Sequence, residues 1–407
     1  METTPNRQIL VINCGSSSIK FALFELPAGI VLASGLADRL GTPDALLEVR
    51  ADACKWTPEL RESGHGEALR TIIRTLETAL GERLNITAIG HRVVHGGEFF
   101  RSAVRIDESV IQKIDACSKL APLHNPAHVL GIRTAMACFP EIPQVAVFDT
   151  AFHQSLEPHV FLYAIPYEYY ESLGVRRYGM HGTSHHYVAM QAAAALGKPL
   201  GSLSLLTAHL GNGCSVCAIQ DGKSVDTSMG LTPLEGLMMG TRSGDVDPNL
   251  HQFLHENAGL SVAEITAVLN RKSGILGVSG VSNDMRTVSA AANSGNTRAQ
   301  LAIDMFAYRL AKAMLAMTAP LSHLDAIVFT GGIGENSALI REKACSHLQI
   351  LGVHLDPERN HSAGKQTGGF ISADSACGPA LLVIPTNEES MIARSTDETL
   401  SNSTTPL

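Results

Sequence analysis

The sequence predicts an α/β protein built from two related domains, on three observations. Predicted strands alternate with amphipathic helices, which is typical of a sheet covered by helices. Two strand–turn–strand segments of the same plan recur, with Gly15 and Gly211 aligned about half the chain apart. The length of 407 residues suits two to three domains at roughly 150 residues each. The recurrence indicates an internal duplication; two unrelated hairpins are the alternative.

Each element follows from its own local pattern. Apolar runs at 9–12 and 19–24 flank a small polar turn, as in a hairpin, and the runs at 203–208 and 214–219 repeat it. Helices are predicted where apolar residues recur three and four positions apart, or where a segment begins at a capping residue and ends at a helix-terminating residue. The helices are expected at 67–80, 184–196 (capped by Thr183 or Ser184), 299–315 and 338–348, and further strands at 144–148 and 326–330. The polar tail Ser395–Leu407 is expected to be frayed.

The composition excludes several classes of function. With 31 Lys and Arg against 39 Asp and Glu, the chain lacks the basic excess of a nucleic-acid-binding protein. A hydrophobic fraction of 45% and a charged fraction of 17% exclude chain-wide disorder. Neither a signal-peptide apolar segment nor a run of 18 apolar residues occurs, and the eight cysteines lie mostly in apolar stretches, typical of reduced thiols. We therefore expect a cytoplasmic protein with neither a membrane nor a nucleic-acid partner.

Three glycine-rich turns are candidate phosphate-binding segments. The first holds Asn13, three serines and Lys20; the second is 209–213; the third, 330–337, follows a strand and opens a helix. Small residues let backbone N–H groups approach a phosphate, and a helix N-terminus favours an anion. A single Ser/Gly turn is as often an ordinary turn, but three at strand ends favour a nucleotide site.

A second set of residues is charged. Arg92 and Arg242 lie among glycine and apolar residues, and His181 immediately precedes a predicted helix. Arginine in such surroundings suits planar anions. The pair Cys214 and Cys217 has no second pair to complete a zinc site, and His181 and His185 have no glutamate between them of the kind found in zinc proteases, so we interpret His185 and His186 as structural.

Nine segments in this order resemble the motifs of acetate kinases, from about residue 9 to 394. They are INCGSSSIKFALFE, GHRVVHGGEFF, LAPLHNPAHVLGI, VAVFDTAFHQSL, RRYGMHGTSHHYV, AHLGNGCSVCAI, DTSMGLTPLEGLMMGTRSGDVDP, FTGGIGENSALIR and IPTNEESMIAR. Propionate kinases are close relatives. The resemblance implies the fold shared by sugar kinases, actin and heat-shock ATPases, with two duplicated α/β domains, a nucleotide cleft between them and a homodimeric assembly.

The same resemblance assigns residues to roles. ATP or ADP would contact Lys20, His209, Leu210, Gly211, Asn212, Gly213, Asp284, Met285, Arg286, Gly332, Ile333, Gly334, Glu335 and Asn336. The catalytic positions are Arg92, Asp149, His181 and Arg242. The carboxylate substrate would contact Arg92, Val94, Leu123, Met180 and Pro233. Mg²⁺, or Mn²⁺, would lie near Asn13 and Glu388.

The resemblance also implies the organisation and the reaction. We expect an N-terminal domain over 1–152, completed by roughly 391–407, and a C-terminal nucleotide-binding domain over 153–390. The implied activity is reversible ATP-dependent phosphorylation of acetate to acetyl phosphate. Propionate is the alternative substrate, because Met180 replaces the family's usual Phe with a flexible thioether. A nucleotide-gated binding protein of the same fold is the alternative outside enzymes, although it would need neither Arg92 nor an acyl pocket.

Overall fold

The computed structural model describes residues 6–122, 124–374 and 377–402. The strands are β1 (Arg7–Cys14), β2 (Ile19–Leu26), β3 (Ile30–Asp38), β4 (Leu46–Ala51), β5 (Cys54–Trp56), β6 (Ile86–Val93), β7 (Val104–Arg105), β8 (Gln144–Phe148), β9 (Ser204–Leu210), β10 (Cys214–Gln220), β11 (Lys223–Thr227), β12 (Ala326–Thr330) and β13 (Ala380–Val383). The helices are α1 (His65–Leu80), α2 (Glu108–Ala116), α3 (Asn125–Cys138), α4 (Pro158–Phe161), α5 (Glu168–Leu173), α6 (Gly182–Leu196), α7 (Leu250–Ala258), α8 (Val262–Arg271), α9 (Gly274–Ser279), α10 (Met285–Asn293), α11 (Thr297–Ala316), α12 (Gly331–Asn336), α13 (Ala338–Ser346), α14 (Pro357–His361) and α15 (Glu388–Asn402).

The chain divides into two compact units, and both are built on the same sheet topology. The first unit contains the described residues up to Phe152 and from Asn387 onward, and the second is His153–Thr386. In the first sheet the central order is β3-β2-β1-β6-β8, and in the second the order is β11-β10-β9-β12-β13. Each has three antiparallel strands followed by two parallel ones. The repeated topology confirms the internal duplication.

Both faces of the first sheet are covered by helices. Leu10 and Ile12 of β1 pack in a cluster with Leu69 and Ile72 of α1. Their neighbours in the strand point to the other face because side chains alternate along a strand, and there they pack against Ile392 of α15. A strand buried on both faces needs a continuous apolar run, which explains the run 9–12.

Most predicted elements are confirmed, including the hairpins, β8, β12, α1 and α11. The predicted cap of α6 is wrong: the helix starts at Gly182, and its N-cap is His181 in the left-handed region, at φ 59°. The third glycine turn is itself a short helix, α12, followed by α13.

The prediction of a frayed tail is wrong for residues 395–402, which form the second half of α15. The helix is held because it packs on β6 at Gly90, where an added Cβ would come within 2.4 Å of Thr396 Oγ1. This contact joins residues more than 300 positions apart, so local polarity gave no sign of it. Residues 403–407 lie outside the described residues.

All eight cysteines are free, and five of them are buried. Across the described residues, no helix is both long and apolar enough to span a membrane.

Candidate active site

In the first unit, Arg92 and Asp149 come together at one edge of the sheet. Arg92 lies near the carboxyl end of β6, and Asp149 directly follows the neighbouring parallel strand β8. The guanidinium donates through Nε to Oδ1 at 3.1 Å and through Nη2 to Oδ2 at 2.7 Å. This two-point contact fixes the plane of the guanidinium.

Glu388, the first residue of α15, completes this cluster, with its Oε2 4.0 Å from Nη2 of Arg92. Burial of Arg92 opposes its charge, but the carboxylates of Asp149 and Glu388 outweigh that effect and hold its pKa above the ordinary value. Asp149 is buried, whereas about a fifth of the Arg92 and Glu388 side chains is exposed. Arg92 is therefore a permanent, oriented cation that solvent can still reach.

The predicted metal and phosphate residues of the first hairpin lie opposite each other. Asn13 and Lys20 are register partners in β1 and β2, and Lys20 forms an ion pair with Glu389, the neighbour of Glu388. Within the described ranges, no group of three or more His, Cys, Asp or Glu side chains could hold a metal ion. The amide of Asn13 and the carboxylate of Glu388 offer the oxygen ligands that Mg²⁺ prefers, and Mg²⁺ usually keeps several waters. The donor set fits a cation bound largely by water and substrate.

Besides Arg92, one predicted substrate residue is described in this unit. Val94 is buried one residue beyond β6. Leu123 lies outside the described residues.

In the second unit, His181 stands at the start of α6 in a strained backbone conformation. A non-glycine residue in the left-handed region is uncommon and is often found at functional sites. Nδ1 of His181 lies 2.9 Å from Ser215 Oγ of β10, and its ring stacks on His209 of β9 with centroids 4.2 Å apart. Nδ1 of His209 in turn lies 2.8 Å from Ser184 Oγ. The two rings are thus fixed as a pair.

Arg242 converges with His181 at Gly213. A Cβ added to Gly213 would lie 3.2 Å from Nη1 of Arg242 and 3.6 Å from Nε2 of His181. Glycine at this position therefore leaves room for both donors. Burial lowers the pKa of Arg242 from its ordinary value.

The remaining predicted substrate residues lie beside these donors. Nη1 of Arg242 donates to the carbonyl of Pro233 at 3.1 Å. Met180 is buried, and its carbonyl accepts a hydrogen bond from Nε2 of His153 at 3.0 Å. Pro233 therefore contacts Arg242 through its backbone.

The glycine turns of the second unit border a cavity of about 870 Å³. Gly331 permits this arrangement: its φ is 76°, and an added Cβ would lie 2.9 Å from the backbone of Leu210. The start of α12 thus approaches the end of β9. Eight of the predicted nucleotide residues line the cavity: Gly211, Asn212, Asp284, Met285, Arg286, Gly332, Ile333 and Asn336. A volume of this size suits a nucleotide-sized ligand.

Other predicted nucleotide residues have different surroundings. Oε1 of Glu335 accepts hydrogen bonds from the backbone N–H of Gly331 at 3.0 Å and of Thr386 at 3.2 Å, so this side chain holds the start of α12. Among the residues that line the cavity, the Arg286 guanidinium lowers the pKa of Asp284 to about 2.

Sequence reasoning missed several residues of these sites. Asn283, Ser289, Asn293 and Leu339 also line the cavity. Asn283 donates to Asn212 Oδ1 at 3.0 Å, and its position directly before Asp284 could have suggested it. Ser215 was also missed, although it is the register partner of His209 across β9 and β10.

This chain is similar to known proteins over nearly its whole length. The family model described as the acetokinase family matches residues 8–394. An acetate kinase of Deinococcus radiodurans is 54% identical over 387 residues, covering 95% of this chain and 96% of that protein. A solved acetate kinase of Porphyromonas gingivalis has a TM-score of 0.91 and 44% identity, and covers 97% of this chain and 100% of that one. A solved propionate kinase of Francisella tularensis has a TM-score of 0.90 and 46% identity over 96% of this chain and 99% of that one. These likenesses confirm the predicted fold class.

Proposed function

Because this chain belongs to the acetokinase family, we propose that it is a kinase that transfers the γ-phosphoryl group of ATP to the carboxylate of acetate, giving acetyl phosphate and ADP. The observation that carries the proposal is the convergence of Arg242 and His181 on Gly213, next to Gly211 and Asn212 of the nucleotide-sized cavity. Two donors at that point suit the oxygens of a transferring phosphoryl group.

The chemistry needs orientation and neutralisation of charge rather than a base. A carboxylate with a pKa near 4 is ionised at pH 7, so one of its oxygens attacks the γ-phosphorus in line while the bond to the ADP oxygen breaks. We assign Arg92 to the substrate carboxylate, and Arg242 and His181 to the phosphoryl oxygens. Asp149 orients Arg92 through their two hydrogen bonds. We do not assign Asp149 as a proton carrier, because no proton has to be moved.

We propose that Asn13 and Glu388 hold Mg²⁺, with Mn²⁺ as a substitute. The cation would neutralise phosphate charge when bound. Glu388→Gln keeps the size of the side chain and removes its charge. It should weaken activation by Mg²⁺ by at least about tenfold, since the site has few protein ligands. Near wild-type activation by Mg²⁺ would contradict the assignment.

An assay of acyl phosphate formation from ATP over acetate, propionate and butyrate tests the function. Arg242→Ala is the informative variant, because loss of a positioned donor should reduce kcat on the order of 100-fold. Exposed Arg298, which donates to backbone carbonyls on the same unit, provides the control Arg298→Ala. An Arg242→Ala enzyme within a few-fold of wild type would refute the role of Arg242.

Propionate is the second candidate substrate. Met180 favours it, since a flexible thioether adapts to a longer acyl chain, and a solved propionate kinase is among the similar structures. A higher kcat/KM for propionate than for acetate would establish this alternative.

We also propose that the protein is a cytoplasmic homodimer. Its eight free cysteines suit a reducing compartment. The second unit exposes large apolar side chains close together in the sequence: Ile165, Tyr167, Tyr169 and Leu173. Such patches often mark interfaces. Sedimentation equilibrium tests the assembly, and a monomer at micromolar concentration would contradict the homodimer. Recovery of the protein outside the cytoplasmic fraction of cells would contradict the proposed location.

A further inference from the structure

Behind His181 lies a chain of three buried polar side chains, which we call the relay: Thr207, His185 and Ser215. Thr207 Oγ1 lies 2.7 Å from Nδ1 of His185. Nε2 of His185 lies 2.8 Å from Ser215 Oγ, and the same oxygen lies 2.9 Å from Nδ1 of His181. All three relay residues are fully buried. The relay therefore connects the core of the second sheet to His181.

The hydrogen bonds of the relay must all run in one direction. Burial lowers the pKa of His185 well below its ordinary value, and the neighbouring His153 and His209 lower it further. The ring of His185 is therefore neutral.

A neutral imidazole has one donor and one acceptor nitrogen, and a serine hydroxyl has one proton and two acceptor lone pairs. If Ser215 accepted from both rings, its own buried proton would have no hydrogen-bond partner among the described residues. The protons therefore point either from Thr207 towards His181 or from His181 towards Thr207.

The distances favour the direction from Thr207 to His181. If His185 donated to Thr207, the threonine proton would be directed to the carbonyl of Cys217, 3.5 Å away, which is too long for a good hydrogen bond. In the other direction the same proton makes the 2.7 Å contact with His185. His185 then donates through Nε2 to Ser215, and the serine hydroxyl donates to Nδ1 of His181.

We infer that the relay places the proton of neutral His181 on Nε2, so that Thr207, His185 and Ser215 are positioning residues for this reaction. The inference rests on the role proposed for His181. Nε2 is the atom that converges with Arg242 at Gly213. His181 can therefore donate a hydrogen bond to a phosphoryl oxygen without a positive charge, and this donation persists above the ordinary histidine pKa of about 6.5.

The groups that face His181 within the second unit are compatible with a neutral ring. Arg242 is a cation that converges with His181 at Gly213, and like charges disfavour the imidazolium. His209 stacks on the ring, and the His185 ring lies 6.5 Å away. His153 bonds to the carbonyl of the preceding residue. Cys214 is held as a neutral thiol, because burial raises its pKa to about 12.

Ser215→Ala tests the inference through the pH dependence of kcat. Without the serine proton, neutral His181 divides between two tautomers, and protonation of Nδ1 becomes easier, so the pKa of His181 rises. The imidazolium always carries a proton on Nε2. The variant should therefore lose between about two- and tenfold in kcat at pH 8, as for one lost hydrogen bond, and less at pH 6. The ratio of the variant kcat to the wild-type kcat at each pH cancels the effects of the ionisation of ATP and of other groups.

Ser204→Ala is the matched control. Ser204 is equally buried on β9, but within the described residues its hydroxyl has no hydrogen-bond partner. We expect this variant to have the wild-type pH profile. Nitrogen-15 NMR of histidine-labelled wild-type enzyme, with the His181 signals assigned by their loss in His181→Asn, reports the tautomer directly and needs no relay variant to fold.

The outcomes are distinguishable. A proton on Nδ1 in neutral wild-type His181 would overturn the inference, as would a loss in Ser215→Ala that is the same at every pH. Wild-type activity in His181→Asn would refute the proposed role of His181 instead, and the NMR signals would still decide the tautomer.

Discussion

Val94 illustrates how one buried side chain can set substrate choice. It lies two residues after Arg92 and is buried beyond the end of β6. We propose that Val94 lines the acyl pocket and limits the room for further carbons, so acetate should be preferred over propionate and propionate over butyrate. One methylene is worth roughly 1–3 kcal/mol in an apolar pocket, and the flexible Met180 places this enzyme near the lower end. Val94→Ala should raise the propionate-to-acetate ratio of kcat/KM by about fivefold.

The neighbouring Val93 supplies a control with the same chemical change. Val93 is fully buried in a core cluster with Phe100 and Ile114. Val93→Ala should reduce stability and leave the ratio unchanged. If Val94→Ala leaves the ratio unchanged as well, Val94 does not line the acyl pocket.

At the level of elements, α12 is held in place by a buried arginine of α13. Arg341 donates through Nη1 to the carbonyls of Gly334 and Glu335, at 2.8 and 3.0 Å, and through Nε to Asn360 Oδ1 at 2.7 Å. Burial lowers its pKa to about 10. Arg341→Met would leave these carbonyls unsatisfied and cost about 2–4 kcal/mol. Because Gly332 and Ile333 line the cavity, the KM for ATP should rise more than the KM for acetate.

Urea unfolding and steady-state kinetics measure both effects. Arg359→Met is the comparison, since Arg359 of α14 pairs with the exposed Asp374, and such pairs contribute at most about 1 kcal/mol. Equal increases in the two KM values for Arg341→Met would argue against a role for Arg341 in positioning α12.

For the whole molecule, buried neutral histidines determine the response to acid. Burial lowers the pKa of His91 and His95 to about 4, and of His128 to about 3. Below pH 6.5 these histidines take up protons in the unfolded chain but not in the folded chain. The free energy of unfolding is therefore highest above pH 6.5 and falls as the pH is lowered towards 4. Each of these rings should contribute about 2 kcal/mol or slightly less between pH 7 and pH 5, so we expect a total loss of about 5 kcal/mol, measured by urea unfolding. His91→Gln should reduce this dependence on pH, whereas exchange of the exposed His347 for Gln should not. If the free energy of unfolding does not change between pH 7 and pH 5, these rings take up protons without unfolding.

The sequence by itself determined the α/β class, the duplicated hairpins, most helices and the residues that carry the family resemblance. These features depend on apolar periodicity and on short motifs, which are set by residues within a few positions of one another. The run 9–12 is an example, because its apolar residues predicted a strand and the structure has β1 at this place.

Only the tertiary structure decided the features that depend on distant partners. The tail becomes helical because Thr396 packs against Gly90, and the third glycine turn becomes α12 with Arg341 bound to its last carbonyls. Ser215 reaches His181 and His185 across about 30 residues of chain. A hydrogen bond between side chains depends on distance and direction in space, and separation along the chain does not encode either.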